Sequence, residues 1–119
     1  MLVKEITYTD YDGNERKERF YFNFTKAELI QWDAKSPGGL KNHLEKMVSE
    51  RDVKRIFETF EEIILAAYGV KSEDGKRFIK SKEISEEFKQ TEAYSVLFME
   101  LIKDEMSMAN FVNAIVPQA

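Results

Sequence analysis

Apolar and polar side chains alternate with a period of two in two stretches near the amino terminus. In LVKEITYT, residues 2–9, Leu2, Ile6 and Tyr8 fall on one side, and in RFYFNF, residues 19–24, Phe20, Phe22 and Phe24 do the same. Both are predicted strands with one apolar face. The DYDGNE segment between them sets the register. A two-residue turn at Asp12 and Gly13 would place Ile6 opposite Arg19 and mix the faces. A three-residue loop, Tyr11-Asp12-Gly13 with Gly13 left-handed, flanks Asp10 against Asn14 and keeps even positions together. Burying each aromatic of the row is worth about 1.5–3 kcal/mol, more than turn preference alone, so the three-residue loop is predicted.

After Phe24 the period changes. Thr25 and Glu28 have capping-box spacing, and Phe24 with Leu29 stands where a hydrophobic staple joins a strand to a helix. The predicted helix, about 26–34, carries Leu29, Ile30 and Trp32 and ends before KSPGG. A second helix is predicted from Ser36 and Pro37, with Leu40, Leu44, Met47 and Val48 on one stripe. A third follows Asp52, where Val53, Ile56, Phe57, Phe60, Ile64, Ala67 and Tyr68 form a broad apolar face and Gly69 is placed as a left-handed C-cap. Residues 70–81 read as a turn or short hairpin around Asp74-Gly75. Ser81 can cap a helix bearing Ile84 and Phe88, and Thr91 another bearing Tyr94, Leu97, Phe98 and Leu101. Ser107 precedes a last helix with Met108, Phe111, Val112 and Ile115, before Pro117.

These elements predict one α+β domain over residues 1–119, predominantly helical. An N-terminal β-hairpin (1–24) leads into a compact bundle of about five or six helices, divided into a first helical part (25–69), a turn or short hairpin (70–81) and a second helical part (82–116). A length of 119 residues suits a single core. With 43% hydrophobic and 34% charged residues, 5 Gly and 2 Pro, the chain reads as globular rather than disordered. The start MLVKEITYTD has neither an apolar secretory core nor a cleavage site, and no run is long enough to span a bilayer. With no cysteine, the expectation is a soluble cytoplasmic protein with no membrane partner. A formal charge of −4 opposes binding to phosphate backbones, so no nucleic acid partner is expected. The basic NERKER run, residues 14–19, reads as the solvated side of a strand.

No catalytic, cofactor-binding or metal-ligating residue is assigned. His43 is the single histidine, at the border of a predicted helix stripe, and lacks the companions of a triad or a metal site. In DYDGN, Gly13 would fall at position 4 of a calcium loop, which needs glycine at 6, and position 12 is Tyr21. SPGGLK lacks the strand and the lysine-threonine ending of a phosphate loop. Glu61 with Glu62, and Glu86 with Glu87, are helix neighbours that do not face each other. What stands out is the stock of large apolar side chains: 9 Phe, 5 Met, 5 Tyr and 1 Trp. Near the carboxyl end YSVLFMELI is apolar on more than one side, and MSMANFVNAIV adds methionines that adapt to irregular partners. Candidate partner-binding residues are therefore Leu97, Phe98, Met99, Ile102, Met106, Met108, Phe111 and Ile115. The hairpin is an alternative site, because an uncovered edge strand can pair with another copy.

The segments YDGNERKERFYFNFTKAEL, SPGGL, AYGVKSEDGKRFIKS and FKQTEAYSVLFMELI, with the FVNAIVP ending, resemble tail assembly chaperones of long-tailed, non-contractile bacteriophages (siphophages) of Gram-positive hosts. The resemblance covers nearly the whole chain and rests on the order and spacing of structural punctuation. It implies a non-enzymatic protein of the host cytoplasm, not expected in the mature virion. It implies as partners the tape measure protein, the tail tube protein, a frameshifted longer form of the chain itself, and further copies as a homo-oligomer. The family offers no active site to carry over and implies no cofactor. The alternative from composition alone is a small helical regulatory or adaptor protein that binds a host or phage protein.

Overall fold

A computed structural model describes residues 1–35, 42, 49 and 51–117. Strands β1 (Leu2–Thr9) and β2 (Glu15–Phe22) pair antiparallel, with Leu2 opposite Phe22, Ile6 opposite Glu18 and Tyr8 opposite Arg16. Even positions of both strands therefore share one face, as the three-residue loop requires. Asp10 N–H donates to the Asn14 carbonyl at 2.9 Å, and Gly13 N–H donates to the Asp10 carbonyl at 3.0 Å. Gly13 has φ of +85°, in the region where a Cβ is costly. The Asp10 carboxylate accepts from the Asp12 and Asn14 amides and pairs with Arg16, which holds its pKa below the ordinary carboxylate value.

The chain leaves β2 through the predicted joint. Glu28 N–H donates to Thr25 Oγ1 at 3.1 Å and Thr25 N–H donates back to Glu28 Oε1 at 2.9 Å, closing the capping box of α1 (Lys26–Lys35). Leu29 rests half-buried on the core that encloses Phe24, whose ring meets Trp32 edge-on at 5.7 Å. The second predicted helix, with its stripe and His43, lies outside the described residues apart from Asn42 and Ser49, both helical and exposed. Asp52 then caps α2 (Val53–Ala67) by accepting from Arg55 N–H.

Two boundaries differ from expectation. Gly69 is not a left-handed cap, because α2 passes directly into strand β3 (Tyr68–Lys71) through Tyr68 in extended conformation. Gly69 pairs with Tyr21, and a Cβ there would come 2.6 Å from Phe78 Cε2. The glycine thus serves close approach of a ring rather than helix termination. β3 forms a hairpin with β4 (Phe78–Ile79), completing an antiparallel sheet of order β1-β2-β3-β4. Helix α3 (Lys82–Lys89) begins at Ser81 and α4 (Glu92–Leu101) at Thr91, as read from sequence. The last helix, α5 (Glu105–Ile115), begins at Asp104, whose carboxylate accepts from Ser107 N–H at 2.7 Å. The helix therefore starts before Ser107 rather than after it, because a carboxylate three positions earlier reaches the Ser107 amide.

The α+β class holds. The helices of the described residues pack on one another, α2 on α3, α3 on α4 and α4 on α5, and also on the four-stranded sheet, where α4 lies along β1 and α3 against β3. Ile6, Phe22 and Phe24 meet Phe60, Ile63 and Ile64 of α2, Phe88 of α3, Leu97 and Leu101 of α4, and Phe111 and Ile115 of α5 in one core. Phe22 is fully buried, with rings of Tyr68, Phe88 and Phe111 at 5.5–5.9 Å. The end of β2 is held from three directions. Asn23 N–H donates to the Ala67 carbonyl and Phe24 N–H to the Ile115 carbonyl, each at 2.9 Å, while Lys80 Nζ donates to the Asn23 carbonyl at 2.7 Å.

Candidate functional site

Helix α4 is apolar nearly all round, and the fold uses only part of it. Thr91 accepts from Tyr94 N–H at 3.2 Å and donates its hydroxyl to the Phe88 carbonyl at 2.7 Å, which fixes where the helix starts. From that start Ala93, Tyr94, Leu97 and Leu101 point into the core. Tyr94 is held against α2 by burial and by the Glu61 carboxylate, which also pairs with Lys89 at 3.0 Å. Burial first, then Glu61, push its phenol well above the ordinary value, so it stays neutral. A step of 100° per residue then carries Phe98, Ile102, Met99 and Val96 in turn from the α2 flank across the outer side of the helix.

The eight candidate residues divide accordingly. Leu97, Phe111 and Ile115 are sealed in the core and offer nothing to a partner of this monomer. Phe111 stands between the rings of Phe22 and Phe60, at 5.5 and 5.8 Å. The correction has a simple cause: α4 and α5 both lie on the sheet, and their i, i+4 apolar positions are needed to close it. Phe98, Ile102 and Met108 are half-buried at the margin of the core. Met99, at 63% exposure, and Met106, at 71%, are open to solvent.

Sequence reasoning missed two contributors from α2. Phe57, assigned to the apolar face of its helix, is partly exposed and meets the Phe98 ring edge-on at 6.1 Å. Val53, one turn earlier, is 57% exposed. The signal was the width of that apolar face, which exceeds what one buried stripe needs. Val53 and Phe57 on α2, with Phe98, Ile102, Met99 and Val96 on and after α4, thus form a ridge joined by the Phe57–Phe98 contact. Solitary exposed apolar residues elsewhere, such as Ile30 on α1, are ordinary surface. Acidic side chains border the ridge: Glu92 and Glu100 on α4, and Asp104 and Glu105 beyond it.

Among the described residues no group of three or more His, Asp or Glu side chains could hold a metal ion, and no helix is long and apolar enough to cross a membrane. A shallow groove of about 320 Å³ lies between the start of β1 and α5, bordered by Leu2, Asn110 and Ala114, with the 3.5 Å Lys4–Glu100 ion pair at its side. Leu101, Ser107 and Phe111 complete its lining. What the arrangement can do is bind another apolar surface. A family model described as phage tail assembly chaperone matches residues 1–119 of the chain. No curated protein and no solved structure gives a match.

Proposed function

We propose the following role for this chain, which belongs to the phage tail assembly chaperone family: it binds the tape measure protein of a siphophage of a Gram-positive host, keeps it soluble, and helps bring tail tube subunits to it. Membership implies protein partners in tail assembly, and a chaperone acts by binding rather than by chemistry. The observation that supports the finer reading is the apolar ridge of α2 and α4. A tape measure protein is long and helical, and an amphipathic helix is covered by laying its apolar face on such a surface. Met99 on the ridge adapts to helices of differing shape.

Each contact is small, and repetition along one client supplies the avidity. Release then follows as tube subunits displace one copy at a time. The acidic residues around the ridge keep loaded copies soluble and separate. On this reading the protein works in the host cytoplasm without catalysis, together with a frameshifted longer form, and leaves before the virion is finished. Co-expression with fragments of the tape measure protein, followed by size-exclusion chromatography, tests it. Co-elution and a higher soluble yield of the fragment are expected. A fragment that stays insoluble and never co-elutes refutes the role.

A further inference from the structure

We infer that the outer edge of β1 is a self-pairing site, at which two copies join antiparallel about a two-fold axis through Ile6. The hydrogen-bond parity is fixed at the hairpin tip. Asp10 N–H donates to the Asn14 carbonyl, and the register then runs without a bulge to Leu2 and Phe22. In an antiparallel pair alternate residues bond the neighbouring strand, so the even residues of β1 bond β2 and the odd ones turn their N–H and C=O groups outward. Those of Val3, Glu5, Thr7 and Thr9 meet no hydrogen-bonding group among the described residues.

The other strands are protected from such pairing. β3 covers only Tyr21 and Phe22 of β2, and of the remainder Glu15-Arg16-Lys17-Glu18-Arg19 are all charged and exposed, with half-buried Phe20 turned to the core face. β4 has two residues. Charges and short length are the usual means of blunting an edge. β1 has eight residues, no proline and no bulge, and its outward row carries one charge, Glu5.

Charge and strand length together narrow the register. Outward odd residues must face odd residues of the second strand. Centring the axis on Glu5 would oppose Glu5 to its own copy, and centring it on Lys4 would oppose two lysines. Centring it on Ile6 opposes Glu5 to Thr7, Val3 to Thr9 and Lys4 to Tyr8, with no like charges face to face. An axis through Thr7 also avoids like charges but pairs only residues 5–9 of β1, whereas the Ile6 axis pairs residues 3–9, so a second copy of this chain fits the edge best about Ile6. A strand of this length buries less than a standard stable interface, so the dimer is weak and dependent on concentration. The inference does not rest on the tape measure reading, because it needs no client.

The test uses the purified full chain in sedimentation equilibrium, comparing wild type with Thr7→Glu and Thr7→Lys. Thr7 faces Lys17 within its own hairpin, so the glutamate variant keeps the monomer folded. Facing Glu5 of the other copy twice per dimer, Thr7→Glu is expected to weaken association about threefold to tenfold and Thr7→Lys to strengthen it. The absence of cysteine allows a register check: on mild oxidation a mixture of Glu5→Cys and Thr7→Cys chains should cross-link several times more than either alone. A wild type that stays monomeric at every concentration overturns the proposal, as do two Thr7 variants that shift association the same way. Strongest cross-linking by Glu5→Cys alone overturns the register. Loss of pairing with client co-elution intact leaves the chaperone role standing, and the converse leaves the pairing standing.

Discussion

At the end of β2 each group has one place to go, whereas along α4 apolar side chains point in nearly every direction. Phe22 and Phe24 are buried, their neighbouring amides reach the ends of α2 and α5, and Lys80 closes the third side. On α4, Leu97 is as buried as Phe22, while Met99, two residues on, is 63% exposed. The difference is one of allotted roles: the first region spends its apolar groups on the fold, and the second keeps some in reserve. Cutting back a side chain should therefore have opposite consequences in the two places. Phe22→Ala removes a fully buried ring with three aromatic neighbours and is expected to cost about 3–5 kcal/mol. Urea denaturation of the two proteins measures this directly. A loss below about 1 kcal/mol would mean that the core is not centred where these contacts put it.

Glu28 supplies the next effect, at the joint itself. Its carboxylate accepts from Thr25 N–H at 2.9 Å and pairs with Lys80 Nζ at 2.7 Å, and that ammonium lies 4.8 Å from the centre of the Phe24 ring. Burial alone would raise the Glu28 pKa, but the hydrogen bonds from Lys80 and Thr25 outweigh it and hold the group below its ordinary 4.5. A carboxylate depressed on folding contributes stability that is present above its unfolded pKa and is lost as pH falls through the folded value. Glu28→Gln should cost about 1 kcal/mol at pH 7, the scale of a helix-capping interaction. The penalty should shrink steadily below about pH 4.5, near the unfolded value. Thermal unfolding of both proteins from pH 7 to pH 3 gives the answer; a penalty that is constant with pH would remove the charge from the account.

How much could be read beforehand follows the same division. The hairpin register, the three-residue loop, the capping box, the helix start after Asp52 and the caps at Ser81 and Thr91 were legible because each depends on residues within a few positions. A period of two also admits one buried face only. The short hairpin around Asp74-Gly75 was legible, but Gly69 was misread because its requirement is set by the Phe78 ring, nine residues away, whose close approach local spacing does not show. The last helix was placed after Ser107 because its apolar stripe starts at Met108, although Asp104 is at the right distance to accept the Ser107 amide and start the helix at Glu105. The candidate surface was half legible. An all-round apolar helix states that something must cover it, but whether the cover is a sheet, another helix or a partner depends on where the helix docks. Leu97, Phe111 and Ile115 went to the sheet for that reason, and Phe57 came to the surface because Phe98 meets it there.

The smallest effect on stability is expected where the reserve lies. Met99 and Val96 lie on the outer side of α4, so Met99→Lys and Val96→Lys each remove little packing. Exposed substitutions of this kind stay within about 0.5 kcal/mol of wild type. If the ridge receives the client, however, a lysine at its centre must be desolvated on binding without a partner. The affinity for a tape measure fragment should then fall by about tenfold or more, the scale of a central interface residue. Ile30→Lys on α1, where the wild-type residue is 68% exposed, is the matched control. It alters surface hydrophobicity equally, away from the ridge, and should leave binding within about twofold of wild type. Fluorescence titration of a labelled fragment with the three variants separates the cases. Equal losses in all three would mean that general stickiness, rather than this ridge, holds the client. No loss in any would place the binding surface elsewhere, while the stabilities of the variants would still report whether α4 keeps its outer side free.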